Sequence, residues 1–125
     1  MSIDYATPEF EEALKAISSS ISKCEKARTK LKADSPQRKW VDRQLEALYI
    51  SIALIDMFLS EQANDKERYT ETALRNADKT IKQLIRNCEK LPERFRIGSP
   101  QHTLAIRRLQ AFHIAEALIA TEIQT

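Results

Sequence analysis

Glycine is almost missing from this 125-residue chain, where Gly98 is the only one. Glycine-cornered hairpins, phosphate-binding P-loops and G-x-G-x-x-G dinucleotide loops all need residues free to take positive φ, so none of them has material here. Cysteine is scarce too. Cys24 and Cys88 are too few for a stapled scaffold. The opening Met1-Ser2-Ile3-Asp4-Tyr5 has no basic segment followed by an apolar stretch, so the two thiols are expected to be reduced and packed. No run approaches the roughly 20 apolar residues of a membrane span, and no membrane partner is expected. Charge is nearly balanced, with 20 Lys and Arg against 18 Asp and Glu. What remains is 42% hydrophobic and 30% charged residues, a mixture that suits amphipathic helices. The expected class is all-α, a single cytoplasmic domain over 1–125.

The chain also reads as one segment written twice. Sliding it by about 64 positions places Ser35-Pro36-Gln37 on Ser99-Pro100-Gln101 and Cys24-Glu25-Lys26 on Cys88-Glu89-Lys90. In the same register Tyr5 falls on Tyr69, Ile17 on Ile81, Arg43 on Arg107, Leu45 on Leu109, and Ala53-Leu54-Ile55 on Ala117-Leu118-Ile119. Residues 5–61 and 69–125 share about 18 identities in about 57 pairs, where about 5 are expected of unrelated helical stretches.

Helix punctuation repeats with the residues. Thr7-Pro8, Ser35-Pro36 and Ser99-Pro100 each pair a hydroxyl cap with Pro at the first helical position. Asn64 with Glu67 suits a capping box, and Pro92 ends the segment that follows. Four helices are predicted near 8–32, 36–61, 65–91 and 100–123, with Glu93 to Ile97 irregular. Phe10, Leu14, Ile17, Ile21, Cys24 and Leu31 form the apolar seam of the first. Short connections make consecutive helices antiparallel, so the expected architecture is an up-down-up-down four-helix bundle of two duplicated αα-hairpins. Both hairpin tips, near Ala33 and Ile97, are then expected at one end.

The second half of the second helix is apolar nearly all round. Since no helix is central in a simple four-helix bundle, Tyr49, Ile50, Leu54, Met57 and Phe58 are read as candidates for a homo-oligomer interface. Charge clusters at the tips. Segments 23–39 and 79–108 together hold about 15 cations against about 4 acids. Helix dipoles favour bases in a last turn and acids in a first, which accounts for the first and third helices only. Lys30, Lys32, Arg38, Lys39, Arg94, Arg96, Arg107 and Arg108 are therefore the candidates for binding an anionic partner, nucleic acid or an acidic protein surface. Trp40 and Phe95 are the only aromatics near the tips, a thin platform for stacking bases.

Differences between the copies raise two chemical alternatives. Leu14, Tyr49 and Ile52 become Asp78, His113 and Glu116, one imidazole and two carboxylates in one layer, which is ligand-like for a divalent metal. A plainer reading is that the second hairpin exposes a face the first one buries. The run Arg108-Leu109-Gln110-Ala111-Phe112-His113 resembles the Arg-x4-His signature of HEPN ribonucleases and nucleotide-binding proteins, themselves helical bundles. The resemblance implies an RNA-cleaving site at a dimer interface with Arg108 and His113 in the paired roles. The family's polar residue after Arg is Leu109 here, and five helical positions turn Arg108 and His113 about 140° apart. Cys24 and Cys88 have no His at helical spacing and read as small core residues. No cofactor loop is present. The sequence favours a self-associating binding or scaffold protein over an enzyme, with the ribonuclease and the metal-binding bundle as its alternatives.

Overall fold

In the computed structural model, which describes residues 7–60 and 69–124, four α-helices follow one another: α1 (Thr7–Thr29), α2 (Pro36–Ser60), α3 (Glu71–Cys88) and α4 (Pro100–Gln124), with a 3₁₀ turn at Leu91–Arg94 before α4. No strand occurs among the described residues.

Local chemistry sets the helix starts. Ser35 Oγ accepts the Arg38 amide at 3.1 Å and Ser99 Oγ accepts the His102 amide at 3.2 Å, and in each case a proline fills the next position, where no N–H is needed. Gly98, just before the second cap, has φ of 91°, a conformation that L side chains rarely adopt. Three boundaries differ from expectation. α1 stops at Thr29 rather than 32 because the backbone tightens, Lys30 N donating to Ala27 O at 3.1 Å and Leu31 N to Arg28 O at 3.3 Å. α3 begins at Glu71, capped by Thr70, whose side chain accepts from the Ala73 amide. The Asn64 and Glu67 capping box lies outside the described residues. α3 also ends at Cys88, before Pro92, which joins the 3₁₀ turn.

Packing divides the molecule into two hairpins. In the first, Arg28 Nε meets Asp42 Oδ1 at 2.7 Å beside the connection, and Phe10 stacks on Phe58 at 5.6 Å at the open end; α1 and α2 are therefore antiparallel. In the second, Arg108 bears on the Cys88 thiol beside the connection, and Glu116 bears on Lys82 farther along. The core is made from both. Ile17, Ile55, Ile81, Ala115 and Ile119 are fully buried, with Ala47, Leu48, Ala111 and Leu118 at 1% exposure. α2 packs against α1, α3 and α4, and α4 packs against α1, α2 and α3.

That contact pattern removes Ile50 and Leu54 from the interface candidates. A helix with three neighbours needs apolar side chains on several faces, and Ile50 and Leu54 are each 3% exposed within this one chain. Met57 is half-buried, while Tyr49 and Phe58 remain exposed.

The expectation of a shared tip end also fails. Arg107, in the part of α4 next to its connection, lies 3.8 Å from Glu12 near the open end of α1. If both connections lay at one end, the open end of α1 would face the C-terminal end of α4, and these groups would stand about 20 Å apart along the helices. The hairpins instead bring the tip-proximal part of one against the open part of the other.

Candidate functional site

Two grooves run between the hairpins. The first, of about 650 Å³, lies between α2 and α3 and is lined by Trp40, Arg43, Glu46, Ala47, Asn76, Ala77, Lys79, Thr80, Gln83 and Asn87. The second, of about 640 Å³, lies between α1 and α4 and is lined by Pro8, Glu9, Glu12, Ala13, Arg107, Gln110, Ala111, His113 and Ile114. Both have the size of small-ligand clefts. A 64-residue shift superimposes much of one lining on the other: Arg43 on Arg107, Glu46 on Gln110, Ala47 on Ala111, Ala13 on Ala77 and Glu12 on Asn76. Reasoning from sequence missed these grooves, although Arg43 and Arg107 already stood together in the repeat.

Their chemistry differs. In the α1–α4 groove, Glu12 holds two cations, with Oε2 3.8 Å from Arg107 and Oε1 3.8 Å from Lys15. In the α2–α3 groove, Arg43 lies over the Trp40 ring, its Cζ 5.6 Å from the centroid, a cation–π distance.

The cations expected to bind an anion are used unequally. Arg38 is a structural group, since Nη1 donates to the Leu31 carbonyl at 3.2 Å and Nε lies 3.8 Å from Asp42. Arg107 is paired with Glu12, and Arg108 is half-buried beside Cys88. Lys30, Lys32 and Lys39 at one tip and Arg94 and Arg96 at the other are exposed. None of these five takes part in an ion pair among the described residues.

Asp78, His113 and Glu116 do not assemble into a metal site. Asp78 Oδ2 is taken by Lys82 Nζ at 2.8 Å, His113 Nδ1 stands 3.8 Å from Glu116, and no three potential ligands converge among the described residues. Nor does the second hairpin open a face that the first closes. Leu14 and Asp78 are both half-buried, Ile52 and Glu116 likewise, and Tyr49 and His113 are both exposed. Arg108 and His113 part company as well, Arg108 toward Cys88 on α3 and His113 into the α1–α4 groove.

Burial pushes the Cys24 thiol above its ordinary value, with Glu25 adding to the effect, and burial likewise raises Cys88 against a lowering by Arg108. Cys24 Sγ also lies 3.7 Å from Gln44 Oε1. Both thiols are kept neutral, which suits packing rather than nucleophilic attack. The Tyr49 hydroxyl donates to Glu25 Oε2 at 2.5 Å, which raises its pKa. Comparison with known protein families, curated proteins and solved structures finds no match for this chain.

Proposed function

We propose that this chain is a non-enzymatic cytoplasmic binding module, two antiparallel αα-hairpins derived from one duplicated unit, which recognises an anionic macromolecule through its hairpin tips. The duplication is supported by coincident boundaries: α2 and α4 are each 25 residues long and begin at Pro36 and Pro100. The hydrogen bonds of Ser35 N to Lys32 O and Lys39 N to Ser35 O recur as Ser99 N to Arg96 O and Thr103 N to Ser99 O.

One observation carries the binding role. Lys30, Lys32, Lys39, Arg94 and Arg96 are exposed and take part in no ion pair among the described residues, and neither α2 nor α4 has an acid in its first turn, where the helix dipole favours one. Local helix stability does not explain that pattern, whereas attraction of an anionic surface does. Because the tips are apart, each is its own contact, and an extended polyanion or acidic protein surface reaches one tip at a time. Fluorescence anisotropy with a labelled single-stranded oligonucleotide and with heparin tests this. Binding should weaken as salt rises, and Lys30, Lys32 and Lys39 changed together to Glu should reduce it by at least tenfold. Salt-insensitive binding, or equal binding by that variant, overturns the reading.

Self-association forms part of the same proposal, through a narrower surface than the whole of α2. Ile97 is 85% exposed and Leu104 61%, alongside Tyr49 and Phe58 on the first hairpin. Light scattering at tens of micromolar decides it, and a monomer there removes this part.

A further inference from the structure

Duplication makes each groove a control for the other. Glu12, which lines the α1–α4 groove beside Glu9, is paired with Arg107 of the same groove and with Lys15 one turn along α1, 3.8 Å from each. Sixty-four positions on, both cations are retained, since Arg43 corresponds to Arg107 and Lys79 to Lys15, while the residue corresponding to Glu12 is Asn76. All three line the α2–α3 groove. Neither Arg43 nor Lys79 takes part in an ion pair among the described residues, and no ion pair joins Arg43 to Glu46 one turn along α2. The guanidinium instead lies over the Trp40 ring.

We propose that the α2–α3 groove binds a small organic carboxylate, which takes between Arg43 and Lys79 the place that Glu12 fills in the other groove. Resting on the reading of the chain as a duplicated binding module, the inference adds a ligand class at a site separate from the tips. Arg43 presents a planar fork that accepts a carboxylate on two N–H groups, and its stacking on Trp40 holds that fork in place before the ligand arrives. Lys79 supplies the second charge. The Asn76 amide, unlike the glutamate side chain it corresponds to, offers N–H donors to the same oxygens. The indole gives the ligand's carbon skeleton an apolar wall. A groove of about 650 Å³ suits a small acid rather than a folded partner.

Trp40 is the single tryptophan, so its emission reports this groove alone. Titration of the whole chain with glutarate should give a saturable change in emission, with at least tenfold weaker response to the neutral glutaramide. Arg43→Gln should reduce the affinity at least tenfold. Asn76→Glu, which puts a carboxylate at the position that Glu12 holds in the other groove, should do the same while leaving helical circular dichroism intact. The assignment is overturned by the absence of saturation with glutarate, by an equal response to glutaramide, or by full affinity in Arg43→Gln. Inorganic phosphate binding as tightly as glutarate would make the site one for anions in general, and an acetylated Glu-containing peptide binding more tightly would make it a contact for a protein partner; either result overturns the small-acid assignment. Heparin affinity, measured on the same Arg43→Gln protein, should be unchanged, so failure at the groove and failure at the tips are read separately.

Discussion

Residue identity alone does not say what a position does, as Leu54 and Phe58 show. Both belong to the apolar run of α2, yet Leu54 is 3% exposed and Phe58 is 43% exposed while stacked on Phe10. A carboxylate at Leu54 would be buried without a partner, at a cost of several kcal/mol on top of the lost apolar burial. Leu54→Glu should therefore abolish the cooperative thermal transition, and Phe58→Glu should leave a folded protein with a lowered midpoint. Circular dichroism melts distinguish the two.

The thiols give a pH dependence with a definite sign. Cys24 and Cys88 have folded-state values raised above the ordinary 9.0, chiefly by burial. A group whose value is raised on folding contributes stability that is present below its unfolded value and lost as pH rises through the folded one. Tyr49 and Lys82 are raised as well, each by a side-chain hydrogen bond, and so act in the same direction. Urea midpoints should be level near neutrality and fall above about pH 9. A midpoint that rises over that range would contradict these environments.

At the scale of elements, the caps make the most direct test of equivalence between the hairpins. Ser35 and Ser99 accept equivalent capping bonds at the starts of α2 and α4, and Ser35 Oγ also donates to the Lys32 carbonyl at 2.8 Å. Ser35→Ala and Ser99→Ala should each cost about 1 kcal/mol in urea unfolding, and the double variant about 2 kcal/mol because the caps share no partner. Gly98→Ala should cost about 1 kcal/mol or more from φ alone, since a Cβ there would meet nothing within 4 Å. A cap variant without effect would mean that the preceding turn, not the serine, fixes the helix start.

Across the whole molecule the core consists of matched pairs. Ile17 and Ile81 are both 0% exposed, as are Ile55 and Ile119, while Ala13 and Ala77 are both 3%. Ile17→Ala and Ile81→Ala should each destabilise by roughly 2–5 kcal/mol, by similar amounts, in chemical denaturation. A large difference would show that the two copies fill different roles in one core. In the 64-residue register the two grooves differ in charge at two lining positions, Glu12 against Asn76 and Gln110 against Glu46.

Helix starts at Pro36 and Pro100, the seam through Phe10, Ile17 and Ile21, and the all-helical class were all legible in the sequence. Caps and apolar spacing are local or linear signals, written in neighbouring residues. The arrangement of one hairpin on the other was not, because short connections fix how adjacent helices run but carry no information on how two finished hairpins dock. Tertiary packing alone decided that Arg107 meets Glu12, that Ile50 and Leu54 belong to the core, that Asp78 is taken by Lys82, and that the basic tips stand apart. Each outcome depends on which apolar faces of α2 and α4 are covered by non-adjacent helices, and that burial is set by the shape of the assembled core rather than by the spacing of residues along any one helix.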